Sequence, residues 1–202
     1  RLTRREKLPT SLLDKIKGRA LDSQNGIVFR NINMKNYPAE TETLRTIFNK
    51  AWEGNWGHLP LSKKQFSYFA NALKMILKPE LLIIAEHQAK AVGFIMTVPD
   101  INPALRKANG RLFPFGLIKM MLSLRNIKRV KLFMLGVLPE YRRRGLDAVF
   151  FTESLARGLE MGYQELDASV VVETNNRIKQ TAKHFGARQY KTFRQYSKPL
   201  TL

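Results

Sequence analysis

The chain contains no cysteine, so disulfides and thiolate metal sites are excluded. Histidine is scarce: His58, His87 and His184 lie far apart, with none of the spacings that gather ligands around a metal. We therefore expect no metal centre. No apolar run reaches the length of a membrane-spanning helix. No secretory signal pattern stands ahead of the first strand-like segment, and we expect a cytoplasmic protein. Acidic residues are few, 16 against 35 Lys and Arg, which leaves a net charge of +19 over 202 residues. Such a field favours anionic partners: nucleic acid, membrane surfaces or phosphorylated small molecules. The cations run from the N-terminal arm to the C-terminus without a nucleic-acid-binding motif, so nucleic acid is the least supported of the three.

The length suits one domain, or one domain with an extension. The sequence begins at Arg1 rather than Met and is read as a piece of something longer, with a partner domain expected on its N-terminal side. Residues 1–25 form a basic arm or linker, and 26–202 carry the fold. Ile27 to Ile32 reads as a strand. Leu44, Ile47, Phe48 and Ala51 recur at helical spacing and define one face of a helix. Ser62 and Gln65 form a capping box, and Phe66, Phe69 and Leu73 continue a second helix behind it. Leu81 to Glu86 and Ala91 to Val98 read as a hairpin. Val130 to Leu138 is a further strand. Ala148, Phe151, Leu155 and Leu159 stripe a third helix that Gly162 ends. Leu166 to Val172 reads as a buried strand. Asn175 or Asn176 caps a fourth helix, with Gly186 at its end. Ala187 to Lys191 and Phe193 to Lys198 read as two last strands. The order β-α-α-β-β-(insert)-β-α-β-α-β-β predicts an α/β protein with a mixed sheet covered by helices.

The most informative stretch is Leu135-Gly-Val-Leu-Pro-Glu-Tyr-Arg-Arg-Arg-Gly-Leu-Asp-Ala148. A strand stops at Pro139, an Arg-rich turn with Gly145 follows, and a helix begins. Free amides and the positive end of the helix dipole converge at such a place, which makes it an anion site. Three successive arginines add attraction for phosphate. The alternative is an ordinary strand–turn–helix with solvated arginines.

This turn, which matches Arg-x-x-Gly, with the order of elements and the ending Asn-x9-Gly-Ala-x-x-Tyr, resembles the GNAT (GCN5-related N-acetyltransferase) superfamily over about residues 27–199. Four stretches resemble a bacterial acyltransferase-like branch of it: Ala51-Trp-Glu-Gly-Asn-Trp-Gly57, Val98-Pro-Asp-Ile-Asn102, Gly110-Arg-Leu-Phe-Pro-Phe-Gly116 and Tyr190-Lys-Thr-Phe-Arg194. In that branch the unit is the second half of a longer chain, and some members acylate sphingoid-type amines. The resemblance implies an N-acyltransferase that uses acetyl-CoA or a longer acyl-CoA on a primary amine, with a lipid-like acceptor as one version. It implies that the amides of Arg143, Arg144, Gly145, Leu146 and Ala148, beside Arg142, hold the CoA pyrophosphate. The strand edge at Leu135, Val137 and Leu138 would pair with the pantetheine arm, and Asn176 would contact the cofactor. Two positions depart from the pattern. Asp147 holds a small-residue position, and Ala182 stands where the superfamily often has a tyrosine acid. These departures favour the competing reading, a non-catalytic docking module.

Amine acylation needs a group that removes a proton. Glu173, His58 and Glu86 are the candidates, each of which reads equally as an ordinary surface or loop residue. Trp52 and Trp56 form a candidate acceptor wall, or else plug the core. The insert at about 99–129 combines apolar and basic residues. Over 104–131 it suits peripheral contact with the inner membrane face, or burial against a partner domain.

Overall fold

The computed structural model describes residues 2–3, 26–55, 57–108, 115–124, 126–194, 196 and 198. Strand β1 is Leu2–Thr3, β2 is Ile27–Asn31, β3 is Leu82–His87, β4 is Lys90–Pro99, β5 is Arg129–Val137 and β6 is Glu165–Asp167. Helix α1 is Tyr37–Trp52, α2 is Lys63–Lys74, α3 is Asn102–Ala108, α4 is Gly116–Leu124, α5 is Leu146–Glu160 and α6 is Asn176–His184. The strands make one mixed sheet in the order β1-β6-β5-β4-β3-β2. All neighbours run antiparallel except β5 and β6. The basic arm of 1–25 lies outside the described residues apart from β1, which pairs with β6.

The central strands read as continuous apolar runs because both of their faces are covered. Along β3, Ile83 and Ala85 join a core shared with Phe150, Phe151 and Leu155 of α5. Leu82 and Ile84 point the other way, into a core with Leu44, Ile47, Phe48 and Phe66 of α1 and α2. Successive side chains alternate between faces, so one strand feeds both cores. Helix α2 starts at the predicted capping box, in which the Ser62 hydroxyl accepts from the Gln65 amide and the Gln65 side chain accepts from the Ser62 amide. The Gln88–Ala89 turn joins β3 to β4 with both residues at positive φ, as a two-residue hairpin requires.

A register shift between Met96 and Thr97 bulges β5 at Phe133. Val130 and Leu132 face the α5 core, whereas Met134 faces the α1 and α2 core. The extra residue, Phe133, stacks on Phe69 of α2 with ring centres 5.4 Å apart. One inserted residue thus reverses which face each later side chain meets.

Three expectations are corrected. The strand expected over 166–172 pairs only at Glu165–Asp167. The Asp167 carboxylate accepts a bond from the Ser169 amide at 3.0 Å, and Ser169 sits at φ +61°. This local turn takes the backbone away from the ladder, a competition that Asp and Ser are prone to win. The two strands expected after Gly186 are absent from the described residues of 187–198. Their residues are largely exposed, and sparse burial leaves little apolar gain to order a strand. The insert, expected as one connecting segment, folds into α3 and α4. No helix among the described residues is long and apolar enough to cross a membrane.

Close approach of helices to the sheet depends on Gly136. A Cβ there would meet Phe94 at 3.1 Å, and Ala51 and Ile47 of α1 at 3.4 Å. A Gly136→Val substitution is expected to push α1 outward and lower stability by about 1–3 kcal/mol. Urea unfolding would read this as a lower midpoint at unchanged slope.

Candidate functional site

Strands β5 and β6 pair only at Arg129, Val130 and Lys131. Beyond that β6 has turned away, while β5 continues to Val137. The Leu138 amide donates to Val92 of β4 at 2.9 Å. Because backbone groups alternate sides along a strand, Gly136 also faces β4, and the polar groups of Leu135 and Val137 face the parting. The Leu135 carbonyl there accepts the Trp52 indole N–H at 3.1 Å. Of the three predicted edge residues, then, Leu135 and Val137 present their backbone to the gap, and Leu138 turns its amide to the sheet.

Past the strand, Pro139–Tyr141 forms a 3-10 turn. Arg143 then takes φ +65° and Gly145 φ +79°. Gly145 caps α5 without a side-chain bond. The first helical amides, from Leu146 onward, have no intrahelical acceptor. With the backbone reversing at Arg143 and Gly145, these donors make the turn a candidate anion cradle. The arginines divide their work. Arg142 donates to the Ala51 carbonyl at 2.6 Å, which ties the turn to the C-terminal end of α1. Arg144 lies over the Tyr141 ring at 4.9 Å, and the Tyr141 hydroxyl meets Nδ1 of His87 at 2.9 Å. Arg143 is exposed. The cradle is thus tied to α1 and to the β3–β4 hairpin. Leu146 is buried in the core and Ala148 is half-buried, so these two residues offer backbone rather than side chains.

Asp147 does not enter the cradle. It is buried, and its carboxylate accepts from Thr181 of α6 at 3.4 Å. Ala182 is likewise buried, on the inward face of α6. Asn176 opens α6 and is exposed, while its neighbour Asn175 supplies the cap by accepting from the Ile178 amide.

The candidate bases separate. Glu173 is exposed in the turn before α6, where its backbone carbonyl accepts from Lys179. Glu86 forms an ion pair with Arg30 at 2.8 Å. His58 packs edge-on against Phe48 and beside Trp52, at 5.4 and 6.2 Å between ring centres. Its Nε2 is buried and makes no hydrogen bond to another described protein group. Asn49 exchanges two bonds with the backbone of Leu61, fixing the loop that carries His58. Trp56 lies outside the described residues.

A cleft of about 810 Å³ lies against the paired stretch of β5 and β6, beside the start of α3. Its walls are Asn102, Pro103, Arg106 and Lys107 of α3, Arg129 and Lys131 of β5, and Tyr190 and Lys191. Asp100 and Asp167 lie at its floor, each 4 % exposed. Arg129 bridges Glu165 at 2.7 Å and Asp100 at 3.4 Å. Sequence reasoning did not group these residues as a site, but two of the branch-like stretches, Val98–Asn102 and Tyr190–Arg194, meet here. Burial opposes charge on the Asp167 carboxylate. The bond from the Tyr190 hydroxyl at 2.6 Å and that from Ser169 outweigh it and hold the group below the usual carboxylate range. The same bond raises the Tyr190 phenol. Among the described residues no three His, Asp or Glu side chains gather as a metal site.

Replacing Arg142 by Ala is expected to cost about 1 kcal/mol of stability, from the lost bond to Ala51, in a denaturant titration. A carboxylate depressed on folding contributes its full stability above its unfolded value and loses it as pH falls through the folded one. Stability should therefore drop on acidification more steeply in the native protein than in Asp167→Asn, whose side chain cannot titrate. Unfolding midpoints measured across acid pH would show parallel curves if Asp167 contributes nothing.

No protein-family model matches the chain. It is 31% identical over 182 residues to a bacterial ceramide synthase of Caulobacter vibrioides, covering 87% of this chain and 47% of that protein. It is 30% identical over 180 residues to protein YghO of Escherichia coli, covering 86% of this chain and 46% of that one. The chain spans about half the length of the curated relatives it matches. Among solved structures, AAC(6')-Iy in complex with the bisubstrate analogue CoA-S-monomethyl-acetylneamine superposes with a TM-score of 0.56 at 18% identity, over 86% of this chain and 99% of that one. The chain therefore has the fold of the GCN5-related N-acetyltransferases.

Proposed function

We propose that this chain is the acyl-CoA-dependent N-acyltransferase unit of a longer protein, acting on the primary amine of a hydrophobic acceptor. One observation carries the reading: an anion cradle at the start of α5 leads directly into a strand edge left open by the parting of β5 and β6. A nucleotide pyrophosphate matches the cradle in charge, and an amide-bearing arm matches the strand edge. Inward rotation of Asp147 onto Thr181 removes the carboxylate that would repel the phosphates. The likeness to a ceramide synthase supports an apolar amine as acceptor, since a ceramide is the amide of a long-chain amine.

Acyl-CoA supplies a thioester whose carbonyl carbon accepts the amine. The chain's part is to hold the donor by backbone groups, orient it along β5 and receive a proton. Trp52 already holds the Leu135 carbonyl and so sets where an arm along that edge begins. Of the base candidates, His58 has the geometry that suits the task, with a buried, unpartnered ring nitrogen beside Trp52. Glu173 is exposed to water and Glu86 is held by Arg30. Burial of Ala182 leaves α6 without a hydroxyl at the position where the superfamily pattern has its tyrosine, so protonation of the leaving thiolate falls to water or to another group. This absence is what favours the second reading, a docking module that retains the cradle without turnover.

Calorimetric titration with CoA, acetyl-CoA and a long-chain acyl-CoA tests the proposal. Arg144→Glu places negative charge at the cradle and is expected to weaken all three by roughly tenfold or more. His58→Ala should bind acyl-CoA as the native chain does while losing thiol release in the presence of an amine. If the folded chain binds none of the three, the acyltransferase reading fails. If it binds them but releases no thiol, the docking reading prevails.

A further inference from the structure

The helical layer formed by α3 and α4 is left over by the site. The segment 101–128 contains Arg106, Lys107, Arg111, Lys119, Arg125 and Lys128, and not one Asp or Glu. Among its described residues, Arg106, Lys107, Lys119 and Lys128 are exposed. The two helices pack on each other. Phe115, just before α4, and Ile118 and Leu122 within it stand at i, i+3 and i+7 on one side, and are 66%, 55% and 57% exposed. Leu105 of α3 and Leu124 at the end of α4 add 45% and 37%. Large apolar side chains in water, ringed by charge of one sign, mark an interaction surface rather than an ordinary exterior.

We infer that the α3–α4 layer docks this protein on an anionic lipid bilayer, with Phe115, Ile118 and Leu122 entering the headgroup boundary. Charge selects this occupant. A second copy would bring the same acid-free basic segment against itself and repel. An anionic leaflet instead attracts each cation, and the apolar face gains from leaving water. Arg106 and Lys107 also line the cleft beside the paired stretch of β5 and β6, so the docked surface runs up to that cleft. The docking stands apart from the acyltransferase reading: it needs neither cofactor nor turnover, and its test uses no acyl-CoA.

The test is flotation of the full 202-residue chain with vesicles of phosphatidylcholine alone and of equimolar phosphatidylcholine and phosphatidylglycerol. The native chain should float with the mixed vesicles and not with phosphatidylcholine alone, and added salt should weaken it. The double variant Ile118→Glu, Leu122→Glu removes apolar contact from side chains already in water. It should bind the mixed vesicles at least about tenfold more weakly at an unchanged thermal midpoint. No flotation of the native chain with mixed vesicles overturns the inference. Equal binding by the folded double variant also overturns it, since general charge attraction would then suffice. So does a native dimer that the double variant converts to a monomer, which would show that a second copy covers the face.

Discussion

One hydrogen-bonded turn decides the architecture. Asp167 accepts the Ser169 amide and the Tyr190 hydroxyl, and the backbone leaves the sheet there. Had β6 continued, it would have paired with the rest of β5 and closed the edge. A buried carboxylate costs solvation unless its lone pairs are filled. The two bonds that fill them are the same ones that direct the chain outward and anchor the C-terminal segment. The open edge and the position of Tyr190 thus share a single cause.

The turn between β5 and α5 offers backbone more than side chains. The cradle needs Arg143 and Gly145 at positive φ, a conformation that costs a non-glycine residue free energy. The surroundings supply the restraint: Arg142 is fastened to the last turn of α1, and Tyr141 to His87 of the hairpin. The Arg-rich appearance of the turn therefore overstates how many guanidinium groups face a ligand. Arg142 is a fastening and Arg144 lies on an aromatic ring, which leaves the amides at the start of α5 as the candidate donors.

Periodicity made the helices and central strands legible in the sequence. The stripes at Leu44, Ile47 and Phe48 and at Phe151 and Leu155 correspond to real cores, and the capping box at Ser62 and Gln65 forms as written. The end of β6 was not legible from apolar content, because Val170, Val171 and Val172 look like strand while a side chain one turn earlier overrides them. The signal was local, an Asp two residues before a Ser. The site was legible only in part. The turn at 142–145 stood out by glycine and arginine, whereas the cleft joins Asp100, Arg129, Asp167 and Tyr190 from four separate segments. Only the topology brings those together. Asp147 looked like an intruder because a sequence does not show which way a side chain turns.

The bulge at Phe133 breaks the parity of β5. Before it, even-numbered side chains belong to one core; after it, odd-numbered ones do. The two ends of the strand are therefore out of phase, like a screw thread cut in two passes. Anyone moving residues 135–148 into another scaffold must carry the bulge with them. Without it the grafted edge arrives on the wrong face of the sheet, with the Leu135 carbonyl aimed away from Trp52 and the cradle detached from the strand that leads to it.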